Sequence, residues 1–212
     1  MREDCVFCRE IEGSRNTNFA IRYPEITSRI ICETDSLIAF PCIGQLTEGH
    51  FLIVSREHDC TFKQVHSRLA LLPDELDELN KRVHEQLGIN INSSLFFEHG
   101  ALNQLNGGCG IYHAHLHVVP NAGNVHPKNI FNFENENPHF SIDSTWKNLP
   151  MGNSYVFAGS KEHGFYCRLI YSPLPSQTLR KNVAHALGLD EWDWRKTSRE
   201  ANMILTLAKA VV

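Results

Sequence analysis

The chain has no run of Lys and Arg, and no long apolar stretch. The first absence removes the cationic stripe that duplex nucleic acid requires. With 20 basic and 24 acidic residues the formal charge is −4, which leaves room for a local pocket that takes one small anion. The second absence removes a membrane span, because the most apolar tail, ILTLAKAVV, is too short and contains Lys209. The opening MREDCVFC lacks the basic-then-apolar order of a secretory signal. Cytoplasmic residence is therefore expected, and the acceptor pattern Asn92-Ser93-Ser94 has no consequence there. Cysteine is present but odd in number, at seven, which argues against a disulfide framework in a non-secreted chain. Internal repeats and low-complexity tracts are also missing. What remains is 42% hydrophobic and 21% charged residues, the make-up of a folded chain with a real core.

Residues 14–29 are polar and irregular and read as a loop. Ile30–Glu33 and Leu37–Phe40 flank Thr34-Asp35-Ser36 as a hairpin, and His50–Ser55 is a further strand. Pro73–Leu87 places Leu76, Leu79, Val83 and Leu87 at helical spacing, with Gly88 as its stop. Ser94–Glu98 and Ile111–Val119 complete an antiparallel sheet with one long helix, an α+β pattern. Residues 1–120 thus form a first unit, and 121–150, rich in Asn, Pro and His, form an irregular connection. Residues 151–212 are expected to pack on the first unit as an extension. They hold strands at Ser154–Ala158 and Phe165–Ser172, a helix over Ser176–Leu187 capped by Ser176, and a last helix within Trp192–Ala210.

Three signals carry chemistry. His113, His115 and His117 alternate with Ala114, Leu116 and Val118, so a strand puts three imidazoles on one face and three apolar groups on the other. With 12 histidines in 212 residues, chance supplies only about 0.04 such matches. Cys5-x-x-Cys8 is weaker alone, with about 0.2 chance matches. It suits either a redox pair or half of a tetrahedral zinc site. His50 and His58 bracket a strand, and each taken alone is more often structural than functional. Gly107, Gly108 and Gly110 read either as a flexible turn or as a loop whose N–H groups can approach a phosphate.

Together, H-x-H-x-H at His113–His117, the Gly-rich loop before it, Gly49-His50 with His58, and Cys5/Cys8 resemble the histidine triad (HIT) superfamily of nucleotide hydrolases and transferases. The resemblance covers residues 5–120. A looser likeness of Ser176–Arg195 to C-terminal segments of larger members accompanies it. The resemblance implies that His115 attacks an α-phosphate and carries the nucleotidyl group, flanked by His50 and His117. It further implies zinc, as a structural ion on Cys5, Cys8, His58 and His113. Phe7, Phe40 and Ile43 would be the apolar walls for a base, and Gly108, Cys109 and Gly110 would meet the phosphate. The partner implied is a small nucleotide. A homodimer is left open.

Several positions depart from the family pattern. Cys42 stands where short members carry an acid for the ribose hydroxyls, and Glu98 stands where an Asn is usual. Gly108-Cys109-Gly110 lacks the Gln and Ser or Thr of the usual loop. The third triad position is His117, whereas transferring relatives carry Gln there, so hydrolysis through a nucleotidyl-His115 intermediate is the expectation. A nucleotidyltransferase or phosphorylase, or a nucleotide-binding scaffold without turnover, are the alternatives.

Overall fold

The computed structural model describes residues 2–102, 110–133, 136–196 and 199–210. Strands β2 (Leu37–Pro41), β3 (Phe51–Ser55), β4 (Leu95–Gly100) and β5 (His115–Val119) form where β-branched and aromatic residues gather, and the short β1 (Cys32–Glu33) pairs with β2. Two more, β6 (Ser154–Ser160) and β7 (Gly164–Ile170), follow late in the chain. Among the described residues they make one antiparallel sheet in the order β1-β2-β3-β5-β4-β6-β7. Every residue of β4 pairs with β6, so the C-terminal segment continues the same sheet and occupies that edge.

One face of the sheet is a conventional core. Ala114, Leu116 and Val118 point into it with Phe51, Ile53, Phe96 and Phe157. It is covered by α3 (Phe62–Arg68), α4 (Leu72–Leu87) and α5 (Ile142–Lys147). The α4 helix buries Leu76, Leu79, Val83 and Leu87, carries Asp74 and Glu75 in its first turn, and ends at Gly88 with φ 66°. Glu75 accepts hydrogen bonds from Thr34 and Ser36, which fastens the helix start to the β1–β2 turn. The Phe62 and Trp146 rings stack at 5.1 Å and lock α3 to α5.

The other face carries α1 (Val6–Ile11) on one side and α6 (Thr178–Ala186) on the other. The α2 helix (Asn18–Arg22) and the terminal α7 (Glu200–Ala210) meet through Phe19, Tyr23, Ile43 and Met203. The histidines of β5 lie between α1 and α6.

Four local expectations change. The segment 14–29 contains α2, which Thr17 caps by accepting from the Ala20 N–H. The strand expected over 111–119 begins only at His115, because the Ala114 N–H donates to the Asp59 carbonyl instead of a neighbouring strand. The connection 121–150 includes α5, started by a Ser141/Ser144 capping box, and a 3-10 turn at Pro127–Asn129. The residue before α6 is Gln177, at φ 62°, in place of Ser176.

Candidate active site

His115 and His117 leave β5 on the face opposite the Leu116 core. His117 sits opposite Leu52 of β3 and Phe97 of β4. Its ring stacks on Phe97 at 4.3 Å and 8°, which fixes its plane. His50, just before β3, is fully buried. Its turn depends on Gly49, whose φ is 81° and where a Cβ would lie 2.5 Å from Ile89.

Hydrogen bonds set the tautomers. The Leu46 N–H donates to His50 Nδ1 at 3.2 Å, so the His50 proton is on Nε2. That N–H donates to His117 Nδ1 at 3.0 Å, which leaves the His117 proton on Nε2. Burial, and then the nearby Arg180 charge, hold His50 well below its usual titration range, and burial does the same for His117. Both are neutral at pH 7, as this chain of donors needs. His115 Nδ1 donates to the His113 carbonyl at 2.6 Å, so its lone pair is on Nε2. Phe7 contacts the His115 ring edge-on at 5.5 Å.

A second cluster lies at the start of the same strand. Cys5 Sγ is 3.4 Å from His113 Nδ1, and Cys8 Sγ is 3.3 Å from His58 Nδ1 and 3.6 Å from His113 Nδ1. The four ligand atoms all lie within 4.8 Å of one another. A tetrahedral ion with bonds of about 2.0–2.3 Å needs ligand atoms roughly 3.5 Å apart, so these residues could hold a metal. His113 Nε2 donates to the Ser55 carbonyl at 2.6 Å, which turns Nδ1 toward the sulfurs. Burial pushes the Cys5 thiol up to about 11 and His113 down to about 4. A cation at the centre would reverse the cost of burying these thiolates.

His115 and His117 open onto a cavity of about 780 Å³, the open space at its mouth included. Phe7, Cys42 and Ile43 line it. Phe40 sits behind Phe7, 5.4 Å away, and supports that wall from below. Glu98 is corrected to the opposite face of the sheet. Strand alternation sends it away from Phe97 and His99, and its carboxylate accepts from the Phe62 N–H at 2.8 Å and the Tyr155 hydroxyl at 2.5 Å. His99 faces the cavity in its place, held down to about 4 by burial. Gly110, at φ 82°, is also relocated. It borders a neighbouring cavity beside Cys5 and His58, away from the triad. Gly107, Gly108 and Cys109 lie outside the described residues.

Sequence reasoning missed the wall that the C-terminal segment provides. Gln177, Thr178, Leu179 and Arg180 at the start of α6, with Trp194 after it, line the same cavity. Arg29, in a segment expected to be a loop, lines it too. It pairs with both oxygens of Glu10 and lies over the Phe40 ring at 4.1 Å. No motif marks these positions, since α6 reaches the site from 138 positions away, as Arg180 does to Cys42. Among the described residues, no helix is long and apolar enough to cross a membrane.

Residues 23–124 match the family model described as the HIT domain. An uncharacterized HIT-like protein of Borreliella burgdorferi is 29% identical over 126 residues, covering 57% of this chain and 78% of its own. Protein hit of Bacillus subtilis is 28% identical over 126 residues, covering 57% and 73%. Among solved structures, a HIT family hydrolase from Clostridium thermocellum aligns with 25% identity and a TM-score of 0.41, over 57% of this chain and 92% of that one. The matched segment holds His50, His58 and the His113–His117 triad, but neither Cys5 and Cys8 nor α6. Residues 23–124, a little under half of the chain, thus match the HIT domain family.

Proposed function

We propose that the chain is a HIT-type enzyme that hydrolyses a nucleoside phosphate anhydride, phosphoramidate or ester through a nucleotidyl group carried on His115. The observation that carries this reading is the tautomer of His115, set by the 2.6 Å hydrogen bond from Nδ1 to the His113 carbonyl. That bond leaves Nε2 basic and aims it into the cavity. It also lets the adduct keep its Nδ1–H on a carbonyl as positive charge develops on the ring. Attack by Nε2 forms the N–P bond while the bond from phosphorus to the leaving oxygen or nitrogen breaks. The leaving group takes a proton from solvent as it departs; water then attacks phosphorus and gives its proton to solvent, the N–P bond breaks, and His115 returns to its neutral form.

His117 presents Nε2–H on the same face, backed by the neutral His50. It donates to the phosphoryl oxygens as their charge grows, from a position fixed before the reaction by the Phe97 stack. Cys5, Cys8, His58 and His113 would hold zinc, whose chemistry in a closed four-ligand site is structural. His113 then ties that site to the nucleophile, since its carbonyl accepts the hydrogen bond from His115 Nδ1–H.

Rapid quench of wild-type protein with adenosine nucleotides, followed by intact mass, looks for the nucleotidyl adduct. His115→Asn should lose turnover by about a thousandfold or more and show no adduct. Near-normal hydrolysis by His115→Asn would sink the mechanism. Product formation that requires a phosphate or sugar-phosphate acceptor would assign transfer in place of hydrolysis.

A further inference from the structure

Two buried arginines line the cavity, and they differ in one respect. Arg29 is neutralised by both oxygens of Glu10. Arg180, 4% exposed, has no carboxylate partner among the described residues. Its Nε donates to the Trp192 carbonyl, Nη2 to the Gly44 carbonyl, and Nη1 approaches Cys42 Sγ at 3.6 Å. Those contacts use three of the five N–H groups of a guanidinium. Asp193, an acid whose charge acts on Arg180, is already held by Arg195 Nε and Nη2 and by Gln177 Nε2. Cys42 does not supply the missing charge, because burial pushes its thiol up and keeps it protonated. A buried cation without a counter-ion is costly to keep.

The register locates this charge. Phe40 pairs with Leu52 and Leu52 with His117, and the Cys42 N–H donates to the His50 carbonyl. Cys42 and His50 therefore lie in the row beyond His117, two rows from His115. Same-face rows are separated by two residues, about 6.7 Å, so an anion at Arg180 is not the phosphorus that His115 attacks. The uncapped first turn of α6, with Thr178 and Leu179, faces the same end of the cavity.

We propose that Arg180 is a specificity residue that binds a second anionic group of the substrate, so that the preferred ligand is a nucleotide with a further phosphomonoester or carboxylate set apart from the phosphorus that His115 attacks. A flat, forked donor that keeps two N–H groups in reserve suits bidentate contact with such a group. The proposal rests on the nucleotide reading above, and the test separates the two.

Calorimetric titration of the full chain with adenosine 5′-monophosphate and adenosine 3′,5′-bisphosphate reads the preference directly. Wild type should bind the bisphosphate about tenfold tighter or more, and Arg180→Gln should bind the two alike. Equal affinities in wild type, which need no variant, would overturn the proposal, as would a preference that survives Arg180→Gln. If that variant does not fold, Arg180→Lys replaces it: it keeps the charge but loses the fork, and should lose about threefold or more of the preference. An undiminished preference in Arg180→Lys overturns the proposal as well. If neither adenosine nucleotide binds wild type, the nucleotide reading fails, and inorganic phosphate then decides the anion site. Phosphate raising the melting temperature of wild type but not of the Arg180 variant supports it, and an equal response, or none, removes it.

Discussion

Replacing Glu98 by Gln should reverse its effect on stability between acid and neutral pH. Glu98 is buried in β4, beside β5, and burial raises its carboxyl from an ordinary 4.5 to about 7, outweighing the hydrogen bonds from the Phe62 N–H and the Tyr155 hydroxyl among other opposing effects. A raised folded-state value means that its contribution is fully present below pH 4.5 and is lost as pH rises through about 7. The interval corresponds to roughly 3 kcal/mol. Glutamine cannot ionise, so the variant escapes that loss. It still accepts from the Phe62 N–H but cannot accept from the Tyr155 hydroxyl with its amide nitrogen, a defect of about 1 kcal/mol. The variant should therefore be less stable than wild type by about 1 kcal/mol at pH 4.5, and more stable by about 2 kcal/mol at pH 8. Urea unfolding of both proteins across this range measures the difference, and subtraction cancels the titration of the buried histidines. A difference that does not change with pH would refute the argument. Nucleotide affinity should stay the same, because the side chain lies on the far face from the cavity.

Cys8→Ser should abolish tight metal content from about one ion per chain and lower the melting temperature, read by elemental analysis and thermal unfolding; retained stoichiometry would rule out the Cys5, Cys8, His58, His113 site. Gly100→Ala brings a Cβ within 2.5 Å of the Tyr155 ring, so it should cost about 1–3 kcal/mol in urea unfolding, and a neutral result would show that Tyr155 shifts without loss. Phe97→Leu keeps an apolar group but removes the stack on His117. It should lower kcat more than it raises KM, and a pure KM effect would assign Phe97 to substrate contact instead.

The alternation of residues 113–119 by itself determined which side chains enter the core and which face the site. A pleated strand allows no other division over His115–Val118, where Leu116 and Val118 enter the core, and Ala114, just before the strand, joins them. Spacing also determined α4 and the sense of its ends, because helical period, acidic first turn and Gly88 agree. The unusual pairing of Cys5 and Cys8 marked the segment that lies against His58 and His113. Tertiary structure decided the rest. Which of Glu98 and His99 meets the cavity hangs on a one-residue register, and an ambiguous stretch such as FFEHG carries no local signal for it. The proton positions on His50 and His117 depend on the Leu46 N–H, which a loop brings to the ring. The Arg180 wall exists only because β6 pairs along β4 and carries α6 back over the triad. Such a contact is set by packing between distant segments, and neither partner's local sequence records it.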